Sequence, residues 1–462
     1  MSGPPVSFFC ERAWLGGPVT ERDVLVKVRG ARVEAVEVGA TAPAQATRLA
    51  GLTLPGFANT HSHAFHRALR GQASTGPGDF WAWRQAMYSV AEKLTPAAYL
   101  GLATAVFAEM ALAGVTAVGE FHYLHHGPGG ARYRDPNEMS KAVLTAAAAA
   151  GVRITLIDAC YLESSPGAPP EGPQARFSDG SAEDWAERLE ALGGPGPAGL
   201  AGPGHGQGDS IPVARVGAAV HSVRAVPPSG IALVAGYARG KGIPLHFHLS
   251  EQVRENEIAR GAYGLTPAQV LAQAGAFDVP ATAVHATHLA PGDISLLGRS
   301  RTSVCMCPTT EQDLADGIGP ARALASAGTP LSLGTDSHAS VDPFFEMRAL
   351  EYNERLGSGV RGNWSAAQLL EAATAAGHAA LGWPGAGAIS PGSVADLVSV
   401  DIGSARWAAA EENLLELAVF AGCGADVHHV VNAGRTVVAG GQHLLVEDVP
   451  GSLRKAMRDL VP

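Results

Sequence analysis

The stretch LPGFANTHSHAFHRALRG, Leu54 to Gly71, decides how this chain is read. An apolar run breaks at Pro55-Gly56 and then sets two histidines two residues apart, so over a strand from Leu54 to His63 the rings of His61 and His63 face one side. Two imidazoles on one face are half of a metal site. An isolated His-x-His is equally well explained by exposed loop histidines, and three later stretches tip the balance. LHFHLSE (Leu245 to Glu251) and AVHATH (Ala283 to His288) again end short apolar runs in histidine, and LSLGTDSH (Leu331 to His338) ends one in Asp336. Four strand-like segments thus finish in metal-type side chains.

At 462 residues, with 46% hydrophobic and 16% charged residues, the chain has material for one large or several ordinary domains and lies far from the disordered range. A formal charge of −10 argues against nucleic acid and anionic membrane surfaces as partners. An anionic ligand therefore needs a local cationic pocket. The N-terminus lacks a basic region followed by a long apolar core, and no run of about 18 apolar residues occurs, so neither a signal peptide nor a membrane span is expected. The five cysteines are scattered without CxxC spacing, which fits a reducing cytoplasm. A cytoplasmic homodimer is the expectation.

Residues 6 to 50 hold VLVKVRGARVEAVEV, two alternating runs around Arg29-Gly30 that read as a hairpin. The same alternation returns in GSVADLVSVD (Gly392 to Asp401) and in His428 to Leu444, and the two ends are expected to pair into a small β-sandwich. Between them strands and helices alternate. Helices are expected from Thr95-Pro96 to Ala113, over Ser140 to Ala150, Ala182 to Leu192, Pro228 to Lys241 and Thr266 to Ala274. Strands are expected at Gly114 to Tyr123, in VRITLIDACYL, and at Arg215 to Val226, Ile243 to Leu249 and Thr282 to Thr287. This beat implies βα units and a parallel sheet, with a count close to the eight of a closed barrel. The fold class is α/β: a (β/α)8 TIM-like barrel at 55–388, with sandwich parts at 1–54 and 389–462. The Gly/Pro-rich part of 164–212, with His205 in it, reads as a surface loop, and 402–427 as a helix with linker.

In such a barrel the chemistry sits at the C-terminal strand ends. His61, His63, His248 and Asp336 would hold one divalent cation, Zn²⁺ or Fe²⁺, with one position left open. A binuclear site needs a bridging ligand such as a modified lysine, and none of the five lysines falls at an expected strand end. Asp336 can bind through one oxygen and accept a proton on the other. His285 can hydrogen-bond the attacking water, and Glu251, just past its strand, can carry a proton to a nitrogen leaving group. Each has a plainer reading: Glu251 as a carboxylate at a helix start, His285 as a satisfied core histidine. Their shared place at strand ends favours function.

Together PGFANTHSH, HFHLSEQ, HATH and GTDSH resemble the amidohydrolase superfamily, from about residue 6 to 445. Within it, HSHAFHRALRG, DFWAWRQAMY (Asp79 to Tyr88), GEFHYLHH (Gly119 to His126) and AVHSVRAV (Ala219 to Val226) are similar to the N-formimino-L-glutamate deiminase family of histidine degradation. The resemblance implies hydrolysis of a formimino C=N to N-formyl-L-glutamate and ammonia, with Tyr123 contacting the substrate. Arg84, His221 and Arg224, polar groups in otherwise apolar runs, are the expected carboxylate partners. The chain departs from the family where a glutamine is expected: it carries His66, a candidate substrate-binding residue that would suit a carboxylate if cationic. Other readings are a deaminase of an aminated heterocycle such as guanine, which the paired arginines oppose, and a non-catalytic scaffold, which the completeness of the site opposes.

Overall fold

In a computed structural model, residues 6–71, 80–193, 211–408, 413–458 and 460 are described, the side chains of 80–82 excepted. Asp79 and the Gly/Pro-rich residues 194–210, with His205, lie outside the described residues. Strands β1 (Val6–Ala13), β2 (Glu21–Arg29), β3 (Arg32–Glu37) and β4 (Thr47–Pro55) come first. The barrel strands follow as β5 (Phe57–Ser62), β6 (Val115–His122), β7 (Arg153–Cys160), β8 (Ala214–Val220), β9 (Leu245–Leu249), β10 (Ala281–His285), β11 (Thr302–Met306) and β12 (Leu331–Leu333). The chain closes with β13 (Leu397–Val400), β14 (Val427–Asn432), β15 (Arg435–Ala439) and β16 (Gln442–His443).

Strands β5 to β12 pair in sequence order, each parallel to the next. A parallel bridge between Ser62 and Asp336 brings the last strand back to the first. That closure needs Gly334, where a Cβ would lie 2.8 Å from the carbonyl oxygen of His61. Strands of a closed barrel face helices on the outside and one another's side chains within, so every residue of β6 and β7 is buried, polar ones such as Glu120 and Asp158 included. Helices fall between the strands, as at Pro96–Leu112, Glu138–Ala150, Ala182–Leu192 and Pro228–Lys241. The Thr95 hydroxyl accepts from the backbone N–H of Ala98 and so satisfies one of the first-turn donors. Among the described residues no helix is long and apolar enough to cross a membrane.

The two chain ends share one mixed sheet in the order β16-β15-β14-β13-β4-β1-β2-β3. The expected hairpin is β2 and β3, paired up to Arg29 and Arg32. β4 joins the halves by pairing antiparallel with β13, Leu397 opposite Pro55. A buried bidentate pair, Arg153 on β7 with Asp396 beside β13, fastens this sheet to the barrel.

Three details differ from the sequence reading. Leu54 to His63 is two strands: the chain leaves β4 at Pro55 and enters the barrel at Phe57. Gly56 makes the passage possible, since a Cβ there would meet the Thr116 side chain at 2.3 Å. The strand expected to reach Val226 stops at Val220, so Arg224 stands on the loop beyond it. The seventh barrel strand, β11, has no counterpart among the expected strands: its five residues carry no ligand at their end and run through Cys307 into a helix at Pro308.

Candidate active site

His61 is the last residue but one of β5 and His63 lies one residue past that strand, while His248 is the last but one of β9 and Asp336 follows β12. Their ligand atoms converge. His61 Nε2 is 3.1 Å from His63 Nε2, 3.2 Å from His248 Nε2 and 3.1 Å from Asp336 Oδ1, which is itself 3.2 Å from His63 Nε2. All four side chains are buried. The far nitrogens of two rings point at carbonyls, His63 Nδ1 at Phe121 O (2.9 Å) and His248 Nδ1 at His221 O (2.8 Å). Those nitrogens must carry the protons, so the Nε2 lone pairs of both rings face inward. Burial drives His61 down to about 3 and His248 well below its usual value, holding both neutral. Inward lone pairs beside a carboxylate oxygen need a shared electrophile at their centre. Three imidazoles and one carboxylate oxygen form the donor set of a divalent-metal site.

The backbone is bent to deliver these groups: Asp336 has φ 38°, His285 φ 68° and Ser250, beside Glu251, φ 50°. Such left-handed conformations cost energy for residues with a Cβ and collect where strand ends aim functional side chains. Asp336 turns Oδ2 toward His285, 4.0 Å from its Nε2, and Glu251 Oε1 lies 3.7 Å from the same nitrogen. On the other side of the ring, His285 Nδ1 is 3.4 Å from buried Glu311 Oε1. Burial alone would lower His285, but Glu251, Glu311 and Asp336 push it well above its usual value. Burial raises Glu251, against the pull of His285.

One pocket collects Glu251, His285 and Asp336 together with His66, Arg84, Tyr123, His221 and Arg224. His66 Nε2 is 2.7 Å from the Tyr123 hydroxyl, and its ring packs 4.5 Å from that of His63. Burial, with His63 beside it, holds His66 well below its usual pKa, so it is neutral. The cationic form in which His66 would suit a carboxylate is therefore disfavoured here. Arg224 Nη1 donates to Ser164 O (2.9 Å) and, at 3.4 Å, to the Tyr161 hydroxyl, and Arg84 Nε donates to the Tyr88 hydroxyl. Tyr88, Tyr161 and Glu255 also line the pocket.

The sequence profile of the Amidohydrolase family matches residues 52–437. The chain belongs to the amidohydrolase family. It is 39% identical over 411 residues, 86% of this chain and 87% of the other, to formimidoylglutamate deiminase of Pseudomonas aeruginosa. It is 29% identical over 431 residues to 8-oxoguanine deaminase of the same organism. Among solved structures, an amidohydrolase from Brucella melitensis superposes with a TM-score of 0.88 at 30% identity, covering 99% of this chain and 100% of that one. An adenosine deaminase from Xanthomonas campestris with bound zinc superposes at 0.83 and 23% identity, over 98% and 97% of the two chains, a likeness of fold alone.

In this amidohydrolase the side chains that brace the site are the ones sequence reasoning missed. Glu120 is fully buried and accepts from Ser62 Oγ (2.6 Å) and the Ala64 N–H (2.7 Å), pinning the turn that carries His61 and His63. Burial lifts its carboxyl to about 7. Glu120 stood within GEFHYLHH, a string singled out for Tyr123. Glu311 carried no motif signal.

Proposed function

We propose that this amidohydrolase hydrolyses the formimino C=N of N-formimino-L-glutamate, giving N-formyl-L-glutamate and ammonia. The observation that carries the reading is that Arg84 and Arg224 line the same pocket as Asp336, Glu251 and His285. The substrate matches that polarity, with two carboxylates for the arginines and a basic amidine for the carboxylates. The 39% identity to the Pseudomonas aeruginosa deiminase supports the same substrate.

A divalent ion held by His61, His63, His248 and Asp336, Zn²⁺ in our reading, supplies Lewis acidity and lowers the pKa of water toward about 7. Asp336 takes the proton of the attacking water on Oδ2, the oxygen turned away from His61 and His63 and toward His285. His285, held on its far side by Glu311, directs Nε2 at the reaction centre and stabilises negative charge developing on the attacking oxygen. Glu251 bonds the terminal nitrogen and, with a pKa raised by burial, returns a proton so that this nitrogen leaves as ammonia. Arg84, Arg224 and neutral His221 hold the glutamate portion, while His66 and Tyr123 form a bonded pair beside the formimino group.

The deciding assay is ammonia release from N-formimino-L-glutamate compared with 8-oxoguanine, guanine and adenosine. Turnover of the formimino compound alone is expected. Preference for a purine would replace this reading with that of a heterocycle deaminase.

A further inference from the structure

Tyr88 stands on the helix Phe80–Lys93, four residues after Arg84, so both side chains project from one face. Its ring is buried and lines the pocket. Its hydroxyl oxygen accepts twice, from Arg84 Nε and from Gln174 Nε2 at 2.9 Å. The second donor is not an ambiguous amide, because Gln174 Oε1 is committed to the backbone N–H of Glu171 at 3.0 Å. Both partners can only donate, and a phenol oxygen has two lone pairs, so the protein uses Tyr88 entirely as an acceptor. Among the described residues Tyr88 donates no hydrogen bond in return. A buried O–H with no acceptor among the described residues, beside a guanidinium and facing a ligand pocket, is a waiting donor for an acceptor that arrives with the ligand.

We propose that Tyr88 is a substrate-binding residue that donates its phenolic proton to the carboxylate held by Arg84. This deepens the formimino-glutamate reading and rests on it for the identity of the substrate. The arrangement divides the work: Arg84 supplies charge, Gln174 and Arg84 together fix the phenol's orientation, and the proton is left for one carboxylate oxygen. Chemically the acceptor is an anionic oxygen, since an O–H bond to a charged group is about twice as strong as one between neutral groups. Tyr88 therefore helps choose a carboxylate over a methyl or hydrogen at that end.

The test compares wild type with Tyr88→Phe on N-formimino-L-glutamate and on two monoacids, N-formimino-4-aminobutyrate and N-formimino-2-aminobutyrate. Each monoacid keeps one of the two carboxylates. With the diacid, KM is expected to rise by about ten- to a hundredfold with kcat within a few-fold, the scale of one hydrogen bond to a charged group. With the monoacids, the substitution is expected to matter for one and not for the other. An unchanged KM on the diacid, or an equal loss on both monoacids, overturns the proposal.

A purely structural Tyr88, whose task is to hold Arg84, is separated by repeating the substitution in an Arg84→Met background. A further loss in kcat/KM there, or in glutarate affinity where turnover is too slow, upholds direct contact, and no further loss refutes it. The substrate reading fails on a different result, namely no ammonia from the diacid with the wild-type enzyme. In that event calorimetry with glutarate decides: binding about tenfold weaker in Tyr88→Phe keeps the carboxylate assignment, and equal binding removes it.

Discussion

Two clusters in this barrel, His61, His63, His248 and Asp336 in one and His122, His125 and Asp158 in the other, each bring their ligand atoms within 4.8 Å of one another, and every side chain is buried. Counting ligand types cannot separate them; their surroundings do. The Asp336 carboxylate faces histidine nitrogens, with the Nε2 lone pairs of His63 and His248 turned inward. Asp158 is already satisfied, because Oδ1 accepts from Trp185 Nε1 (3.0 Å) and Arg188 Nη2 (2.7 Å) and Oδ2 accepts from Arg188 Nη1 (3.0 Å). Arg188 Nε reaches on to Asp179 at 2.9 Å. A divalent ion beside Asp158 would meet a guanidinium on the same carboxylate. The lesson is that these two clusters are told apart by their carboxylates: the one at Asp336 faces histidine lone pairs, and the one at Asp158 is already held by a guanidinium and an indole N–H.

The strongest way to break this distinction is metal analysis. Chelation, or His248→Ala, is expected to reduce turnover to background, and elemental analysis of the native enzyme to return close to one divalent ion per chain. Two ions per chain, with the second lost in His122→Ala, would make both clusters metal sites. Next in size are Glu251→Gln and His285→Asn, expected to keep the ion and lower kcat by about 10² to 10⁴, the scale of a positioned proton-transfer group. Loss of the ion from either variant would move that residue into the ligand set.

The same distinction explains how much could be read beforehand. His61 and His63 were legible because a two-residue spacing has a geometric meaning on a strand, and Asp336 and His248 because each ends an apolar run. The barrel followed from the beat of strands and helices. Glu120, Glu311 and Gln174 were not legible, since what each does is fixed by partners that only the closed barrel supplies, such as Tyr88, which is 86 residues from Gln174. Arg188 and Asp158 are 30 residues apart and meet through the packing of the helix Ala182–Leu192 on β7. Gly56 and β11 failed for a related reason: handing a strand from one sheet to another, and burying a five-residue strand without a ligand, leave little periodic signal.

A smaller effect on turnover is expected at the cationic end of the pocket. Arg224→Met keeps an apolar stem and removes one charge, and should reduce kcat/KM by about 2 to 5 kcal/mol, as for truncating one partner of a desolvated charge pair. The loss should largely vanish for one of the two monoacid analogues. An unchanged kcat/KM for the diacid in both Arg224→Met and Arg84→Met would remove the carboxylate reading and favour a heterocycle.

The smallest effect on turnover, and the sharpest contrast with the metal cluster, belongs to Arg188. Arg188→Met strands two buried carboxylates, Asp158 and Asp179, and should lower unfolding stability by about 3 to 5 kcal/mol while leaving kcat and metal content of the folded enzyme unchanged. Its acid response separates this account from simple loss of packing. Burial, with His125 and Arg188 beside it, holds His122 at about 3, and burial with Arg188 holds His125 at about 4. In the unfolded chain both titrate near 6.5, so as pH falls from about 6.5 toward 4 the unfolded state takes up protons that the folded state refuses, and stability declines. Burial alone would raise Asp158, but Arg188 and the histidines overcome it and hold the carboxylate below its usual range. Its stabilising contribution is therefore present above about pH 4 and lost only below it. Without Arg188, the unpaired carboxylates attract a proton onto His125, whose folded pKa rises toward the unfolded value. The decline between pH 6.5 and 4 should then be shallower in Arg188→Met than in wild type, measured by denaturant titration at fixed metal concentration with tryptophan fluorescence. Parallel slopes with a constant offset would mean that Arg188 contributes packing alone and that burial by itself keeps these histidines neutral.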